Sequence, residues 1–311
     1  MKADIMEGIA RKTGIPQLAD LLAHHLSGSE LNSLLLEVFN KKLQDMTPAR
    51  LLKLYQANRF VHPADSDMID LLTLELRSLQ FLRDHHFQPI ELSPAAQLGT
   101  CSVVAPADQH KIISATRNTE IMADATNALA LYIADLKKSG NKEGLLRFCT
   151  THRHIRTQEF KAKGHTPHFK IGCLVSSGRD TGSYQFECTS LLEHLLTLDN
   201  LLRTVFDITS TRFKIQSRLG YDNPDSLLEK VTAWLKTNSR LNIITEEAPV
   251  PNNYYKGLQF KMIVQIKGEE REMADGGFVD WTQQLLENKK ERLLISGFGL
   301  ELLHKFGSGS L

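Results

Sequence analysis

The 311-residue sequence contains no apolar run of about 18 residues, the length that a membrane-spanning helix needs. Its first residues, Met1-Lys-Ala-Asp-Ile-Met-Glu, do not contain the apolar core of a signal peptide. It has only four cysteines, and no two of them form a Cys-x-x-Cys motif. We therefore expect a cytoplasmic protein without a membrane segment, in which the cysteines are reduced and mostly buried thiols.

An excess of charge of either sign is also missing, because 37 lysines and arginines nearly balance 36 acidic residues. The net charge of +1 gives no sign of nucleic-acid binding. The sequence contains neither Gly-x-Gly-x-x-Gly nor Gly-x4-Gly-Lys-[Ser/Thr], so nothing supports a dinucleotide-binding fold or a P-loop. A length of 311 residues is enough for one large domain or two ordinary ones, and the 41% of hydrophobic residues gives no sign of disorder.

The first 60 residues are predicted to form a small helical module. Apolar residues recur three and four positions apart between Leu31 and Phe39, which is the spacing of one helix face. Thr47 followed by Pro48 has the pattern of an N-cap and a first helical residue. We therefore divide the chain into an N-terminal helical module, residues 1–60, and a core, residues 61–311.

The core contains both helical and strand periodicities. Strict alternation predicts strands, most clearly over 258–267, and Gly268-Glu269 is predicted to turn this strand into a hairpin. Apolar residues at helical spacing predict helices over 65–84, 119–138 and 278–289. Hairpins and unevenly spaced helices favour an α+β fold, with a mainly antiparallel sheet flanked by helices.

A basic hairpin is predicted between residues 146 and 178. Its second strand alternates apolar residues from Phe169 to Val175, and the loop before that strand contains Lys161 and Lys163. Such a hairpin would bring these lysines close to Arg156, and a cluster of cations suits a phosphate or a carboxylate. A hairpin whose charges merely face solvent explains the same residues equally well.

The order of these segments resembles the catalytic core of class II aminoacyl-tRNA synthetases over roughly residues 65–306. Within that family it is most similar to the histidyl-tRNA synthetase branch, which includes the regulatory subunit of ATP phosphoribosyltransferase. Residues 65–94 resemble motif 1, so the resemblance implies a homodimer formed through them. The sequence stops at motif 3, and we therefore expect no anticodon-binding domain and no tRNA partner.

Short stretches carry the resemblance and imply roles for particular residues. Met122-Ala-Asp-Ala-Thr126 resembles an element beside the amino-acid pocket, which implies that Asp124 and Thr126 bind the substrate. Residues 155–158 with Phe169 resemble motif 2, which implies that Arg156 holds the α-phosphate of ATP and that Phe169 stacks on adenine.

Three further stretches lie closer to the C-terminus. Tyr254 and Tyr255 match an element that implies substrate binding by both tyrosines. Gly297-Phe-Gly-Leu-Glu301 resembles motif 3 and implies that Glu301 binds the nucleotide. Residues 274–280 resemble a glycine-rich stretch of the histidyl branch.

Four arginines of the family pattern are absent. Met122 and Leu302 occupy two of their positions, and residues 249–253 contain no arginine where the tyrosine element has its catalytic one. Residues 274–280 also lack the arginine of the glycine-rich stretch. Activation of an acid by ATP places negative charge on phosphorus, and losing one preorganised donor to such charge costs about a hundredfold or more in rate. An ordinary tRNA synthetase is therefore not expected.

Two functions remain open. The first is an ATP- and Mg²⁺-dependent enzyme that activates a small amino-acid-like acid, with Arg156, Gln158 and Glu120 as catalytic residues and Arg117 as a further substrate-binding residue. The second is a non-catalytic subunit that binds an effector and assembles with a catalytic partner. Four histidines between His152 and His168 have no cysteine or carboxylate at ligand spacing, so we predict no protein-bound metal.

Overall fold

A computed structural model describes residues 2–141, 143–159, 165–246 and 253–307, with side chains from residue 5 onward. Lys161 and Lys163 of the predicted basic loop lie outside the described residues, as does most of the 249–253 stretch. The strands are β1 (Gln88–Pro89), β2 (Ala95–Gln97), β3 (Ser114–Ala115), β4 (Thr119–Ile121), β5 (Leu146–Ile155), β6 (His168–Arg179), β7 (Thr211–Ser217), β8 (Ile243–Glu246), β9 (Lys256–Ile266), β10 (Glu269–Val279) and β11 (Glu291–Phe298).

Helices cover both faces of the main sheet and form the N-terminal segment. A π-helical turn (Thr100–Val104) and a 3₁₀ turn (Gln109–Lys111) lie between the strands of a small second sheet. The α-helices are α1 (Lys2–Thr13), α2 (Leu18–His25), α3 (Gly28–Gln44), α4 (Pro48–Ala57), α5 (Met68–Asp84), α6 (Ala125–Lys138), α7 (Gln185–Val205), α8 (Pro224–Asn238), α9 (Trp281–Leu285) and α10 (Leu300–Gly307).

The main sheet has eight strands in the order β1-β5-β6-β11-β10-β9-β7-β8. The pairs at its two edges, β1 with β5 and β7 with β8, are parallel, and the pairs between them are antiparallel. The prediction of an α+β fold with a mainly antiparallel sheet is thus confirmed, and the sheet is mixed. A second sheet of three short strands has the order β2-β4-β3.

Two hydrophobic cores lie on opposite faces of the main sheet. On one face, α5, α7, α8 and α10 bury residues such as Leu82, Leu195 and Phe260. On the other face, α6 and α9 bury Leu129 and Trp281 against β5, β6 and β11. Both faces of the strands are apolar, and each face must therefore be covered by helices. This gives three layers, with the sheet between two layers of helices.

The hairpin of β9 and β10 turns at Lys267 and Gly268, whose φ angles are 52° and 83°. Positive φ at both loop residues is typical of a two-residue turn that matches strand twist. The turn therefore lies one residue before the predicted Gly268-Glu269. Further along β10, a Cβ added to Gly276 would lie 2.4 Å from the carbonyl oxygen of Ile295, so only glycine allows the strands to approach so closely here.

Two predicted helices are shorter than expected. The predicted helix 119–138 contains strand β4 at its start, and α6 begins only at Ala125, where the Asp124 side chain accepts the amide hydrogen of Thr126. The predicted helix 278–289 is wrong at its start, because Phe278 and Val279 pair with β11. In both places the pairing with a neighbouring strand overrides local helical spacing.

The N-terminal segment consists of α1–α4, as predicted, and its separation as a module stays a prediction. Thr47 caps α4 and Pro48 is its first residue. None of the described residues of α2–α4 is buried, and Asn32 of α3 donates to the side chain of Asn118 on the β3–β4 turn.

No described helix is both long and apolar enough to cross a bilayer. The four cysteines are buried and unpaired.

Candidate functional site

Two cavities adjoin at the amino end of α6. Cavity A has a volume of about 330 Å³ and is lined by β6, β10, β11 and the start of α10. Cavity B has a volume of about 340 Å³ and extends towards the π-helical and 3₁₀ turns. Five of the described residues line both cavities: Asp124, Arg156, Tyr254, Tyr255 and Asp275.

Asp124 is held by the residues around it. Its Oδ1 accepts hydrogen bonds from the amide and the hydroxyl of Thr126, at 3.0 and 2.7 Å. Its Oδ2 accepts one of 2.8 Å from the Tyr254 hydroxyl and lies 3.7 Å from Nη2 of Arg156. Burial opposes its ionisation, but Arg156 and these donors together keep the pKa of Asp124 below its ordinary value.

Arg156 lies between the two cavities. Its Nε donates a 3.0 Å hydrogen bond to the carbonyl oxygen of Ala123, which fixes the guanidinium near Asp124. The guanidinium carbon is 5.5 Å from the centre of the Phe169 ring. A cation stacked on an aromatic ring and backed by a carboxylate is a rigid donor for an anionic ligand.

His154 also lines cavity A, although it is only 1% exposed. Its Nε2 accepts the amide hydrogen of Ala125, 3.1 Å away, so the ring proton lies on Nδ1. Nδ1 has no hydrogen-bond partner among the described residues. Burial lowers the pKa of His154 to about 3, and the ring is therefore a neutral donor at physiological pH.

Asp275 lies on β10 at the junction of the cavities and is partly exposed there. Its Oδ2 accepts a 2.9 Å hydrogen bond from the Tyr255 hydroxyl. Burial raises the pKa of Asp275 to about 6; Glu272 and Asp124 add to the shift, and Tyr255 opposes it. Asp275 was not among the residues predicted from the sequence, where its only signal is its place before two glycines.

Glu301, at the start of α10, faces cavity A and is 2% exposed. Its Oε2 accepts from Arg153 at 2.9 Å and from the amide of Lys170 at 3.0 Å, and its Oε1 accepts from Ser66 at 2.9 Å. Nζ of Lys305 lies 3.4 Å from the same Oε1. Burial opposes the ionisation of Glu301, but Arg153 and the other partners lower its pKa overall.

Most of the predicted site residues come together. Thr126, Phe169 and Glu301 line cavity A, and Gln158 lines cavity B. Four further predicted residues line both cavities: Asp124, Arg156, Tyr254 and Tyr255.

Glu120 and Arg117 lie elsewhere. Glu120 is fully buried, and its carboxylate accepts from the amides of Gly99 and Cys101 and from Nε2 of Gln109. It therefore holds the π-helical turn that forms the wall of cavity B and lines neither cavity itself. Arg117 is exposed on the β3–β4 turn, and its amide donates to the side chain of Asn32.

The mainly antiparallel sheet, with helices on both faces and a cleft at the start of α6, is the fold of class II aminoacyl-tRNA synthetase cores. Histidyl-tRNA synthetase from S. aureus is similar over 81% of this chain and 70% of its own, with a TM-score of 0.62 and 13% identity. No protein-family model and no curated protein sequence matches the chain.

Two further solved structures belong to the same group. A Bacillus halodurans protein described as an ATP phosphoribosyltransferase regulatory subunit/histidyl-tRNA synthetase matches over 80% of this chain and 84% of its own, with a TM-score of 0.58 and 11% identity. A histidine–tRNA ligase subunit from Alicyclobacillus acidocaldarius matches over 81% and 97%, with a TM-score of 0.59 and 11% identity. The predicted resemblance is confirmed, and identities this low establish the fold alone.

Proposed function

We propose that this chain binds ATP in cavity A and a small amino-acid-like acid in cavity B, and that it adenylates the acid. The observation that carries the proposal is that the two cavities adjoin and share Arg156. A cation at the junction of two ligand sites can contact the groups of both ligands that must react.

Cavity A suits a nucleotide. The half-buried ring of Phe169 offers a face for a planar base, and Arg156 lies beside that ring. Gly297 and Gly299 line the cavity without side chains, and Lys305 lines it one helical turn after Leu302. Lys305 supports the proposal because it supplies a cation near the position from which the motif 3 arginine is missing.

Cavity B suits a small polar acid. Its lining combines aromatic surface from Tyr254 and Tyr255 with the amides of Gln158 and Gln259. A pocket of this size with a few convergent polar groups is typical of a site for a small metabolite. The carboxylate of the ligand would point towards Arg156, where the cavities meet.

The proposed reaction is an attack by a carboxylate oxygen of the acid on the α-phosphorus of ATP. A carboxyl–phosphate bond forms, the bond to the β-phosphate oxygen breaks, and pyrophosphate leaves with the electron pair of that bond. Negative charge spreads over the oxygens of the phosphoryl group during this transfer. Arg156, held by Ala123 and Asp124, would stabilise that charge with little reorganisation.

Mg²⁺ would enter with the nucleotide. Among the described residues there is no group of three or more histidine, cysteine or acidic side chains that could hold a metal ion. Mg²⁺ in nucleotide sites keeps several waters and binds mainly through the phosphates, so such a site needs no protein cage. No residue of this chain is therefore assigned as its ligand.

Calorimetric titration with Mg-ATP tests the proposal. Wild-type protein is expected to bind, and Arg156→Ala to bind at least about tenfold more weakly because a charged donor is lost. Arg179→Ala, a control that removes an exposed arginine outside both cavities, is expected to bind like wild type. ATP–pyrophosphate exchange with a panel of amino acids then tests adenylation, and absence of Mg-ATP binding by wild type rejects the proposal.

A second function is an effector-binding subunit without catalysis. The observation that favours it is that Leu302 contributes an apolar side chain to cavity A where the family pattern has arginine. In that case the chain would bind a small ligand without exchange activity and would purify with a catalytic subunit from its native source. The B. halodurans protein described in part as a regulatory subunit has the same fold.

We also propose that the chain forms a homodimer through residues 65–94. The outer face of α5 presents an apolar stripe to solvent, with Ile69 71%, Leu72 43% and Leu76 57% exposed. Apolar residues that recur along one exposed helix face are more often covered by a partner than left in water. This stripe lies within the segment that resembles motif 1.

A further inference from the structure

Asp275 is the carboxylate at the cavity junction that the protein leaves unneutralised. Its only hydrogen bond from a described side chain is the one that Tyr255 donates to Oδ2. No described cationic group lies within 4.0 Å of the Asp275 carboxylate, although Lys261 is the residue of β9 that pairs with Asp275. Lys261 instead pairs with Glu272, at 2.8 Å.

Asp124 is in the opposite situation, although the sequence pattern singles it out. Its two oxygens are engaged by both donors of Thr126, by the hydroxyl of Tyr254 and by the guanidinium of Arg156. An ionised carboxylate accepts about four hydrogen bonds. A ligand cation at Asp124 would therefore have to displace one of these groups, whereas Asp275 has an oxygen to offer.

We propose that Asp275 receives a protonated nitrogen of the small ligand, and that it selects ligands that carry one. The geometry supports this role because Asp275 faces both cavities, and Tyr255 and the tight packing of Gly276 fix its position. A carboxylate that is largely withdrawn from water and has no cation beside it costs folding free energy, and a ligand ammonium group would supply the missing charge. This inference rests on the small-ligand site of the proposed function.

An organic cation fits better than a metal ion. In the part of the chain that the structure describes, Asp124 is the only other carboxylate that lines both cavities, and Arg156 already neutralises it. The described residues provide no group of three acidic, histidine or cysteine ligands, and Mg²⁺ or Ca²⁺ in a protein site needs about six oxygens. One carboxylate oxygen beside a tyrosine hydroxyl is instead suited to a single N–H donor.

The protonated nitrogen could be an α-ammonium group or an amine at the far end of the ligand. Four ligands with the same six-carbon chain distinguish these sources: L-lysine has both nitrogens, L-norleucine only the α-ammonium, 6-aminohexanoate only the terminal one, and hexanoate neither. Each would be titrated by calorimetry into wild-type protein and Asp275→Asn. Asparagine keeps the shape of the side chain and an acceptor for Tyr255, and it removes the charge.

At a pH well above 6, at least one nitrogen-bearing ligand is expected to bind wild type about 10-fold to 100-fold more tightly than hexanoate. Asp275→Asn is expected to abolish that preference. The control Asp280→Asn removes a carboxylate outside both cavities and is expected to keep the preference. The proposal is overturned if hexanoate binds as tightly as the amines, if Asp275→Asn keeps the preference, or if no amine binds.

Proton release provides an independent signature. Because the pKa of Asp275 is raised to about 6, cation binding near pH 6 should release protons from wild type, and the heat of binding should change between buffers of different ionisation enthalpy. Asp275→Asn should show no such change. Four groups around Asp275 also act on its pKa. The charges of Glu272 and Asp124 raise it, and Tyr255 and Lys261 lower it.

The ligand series is titrated without nucleotide, so its result is separate from that of the Mg-ATP titration. Mg-ATP binding without amine selection would reject the role of Asp275 and keep the nucleotide site. Amine selection without Mg-ATP binding would keep the role of Asp275 and reject adenylation.

Discussion

The hydroxyl of Tyr254 donates a 2.8 Å hydrogen bond to Oδ2 of Asp124, across 130 positions of sequence. This bond joins the residue that caps α6 to the segment that enters β9. Both side chains line both cavities, so the bond lies at the junction where the two cavities meet. Burial, with the neighbouring Asp124 charge, raises the pKa of Tyr254 well above its ordinary value, so the phenol remains a donor.

Tyr254→Phe is expected to lower the free energy of unfolding by about 1.5–3 kcal/mol, because a hydrogen bond to an ionised group is lost in a buried position. Urea denaturation measures the change. Tyr184→Phe is the matched control, because its hydroxyl makes a longer bond of 3.4 Å to the carbonyl of Asn223. Equal effects of the two substitutions would contradict a special role for the Tyr254–Asp124 bond.

Asp275→Asn is expected to stabilise the protein above about pH 6. The pKa of Asp275 is raised to about 6 in the folded state, so this carboxyl favours folding while it is protonated and loses that contribution as the pH rises through 6. Removing the charge should raise the free energy of unfolding at pH 7 to 8 by up to about 3 kcal/mol.

The difference between Asp275→Asn and wild type should disappear below about pH 4, where the carboxyl is protonated in both states. Denaturation curves at a series of pH values check this. A constant difference at every pH would show that the effect does not come from ionisation. The Asp275→Asn protein would thus be more stable than wild type and would have lost ligand selection, which is the trade-off between stability and function that is common at functional sites.

Lys305→Met is expected to weaken Mg-ATP binding about tenfold, because a buried cation that lines cavity A is removed. Leu302→Arg, added to Lys305→Met, should restore part of the affinity, since Leu302 lines the same cavity one helical turn earlier. Calorimetry measures both variants. If Lys305→Met binds like wild type while Arg156→Ala does not, Lys305 has no part in nucleotide binding.

Glu120→Gln is expected to destabilise the fold by about 2–4 kcal/mol, because a fully buried carboxylate loses charge-assisted bonds to two backbone amides. Arg117→Ala, at an exposed position, should change stability by less than about 0.5 kcal/mol. Thermal unfolding compares the two. ATP–pyrophosphate exchange that survives in a folded Glu120→Gln protein would support a structural role for Glu120, whereas loss of exchange with ligand binding retained would support a catalytic one.

The double substitution Leu72→Ser and Leu76→Ser is expected to convert a dimer into a monomer, because it removes the centre of the exposed stripe on α5. Sedimentation equilibrium measures the mass. Leu219→Ser replaces an equally apolar residue, 75% exposed elsewhere on the surface, and should leave the association state unchanged. A wild-type monomer at micromolar concentration would reject the dimer.

Strands with strict alternation could be predicted from the sequence, because a two-residue period suffices when one face is buried. The strand predicted over 258–267 is β9 at Lys256–Ile266, within two residues at each end. The helix predicted from Thr119 was wrong at its start, because strand pairing places Glu120 opposite Ala96 and Ser114. That pairing, which no local pattern shows, is what buries the carboxylate of Glu120.

By itself, the sequence determined the class of fold and selected several residues that line the cavities, including Asp124, Arg156 and Tyr254, because each belongs to a short local pattern. Only the tertiary structure decided which acidic groups can meet a ligand. Glu120 is engaged by backbone amides, Asp124 is engaged by Tyr254 and Arg156, and Asp275 keeps an available oxygen. The availability of a carboxylate depends on donors that folding brings from distant positions, and local sequence patterns contain no record of those distances.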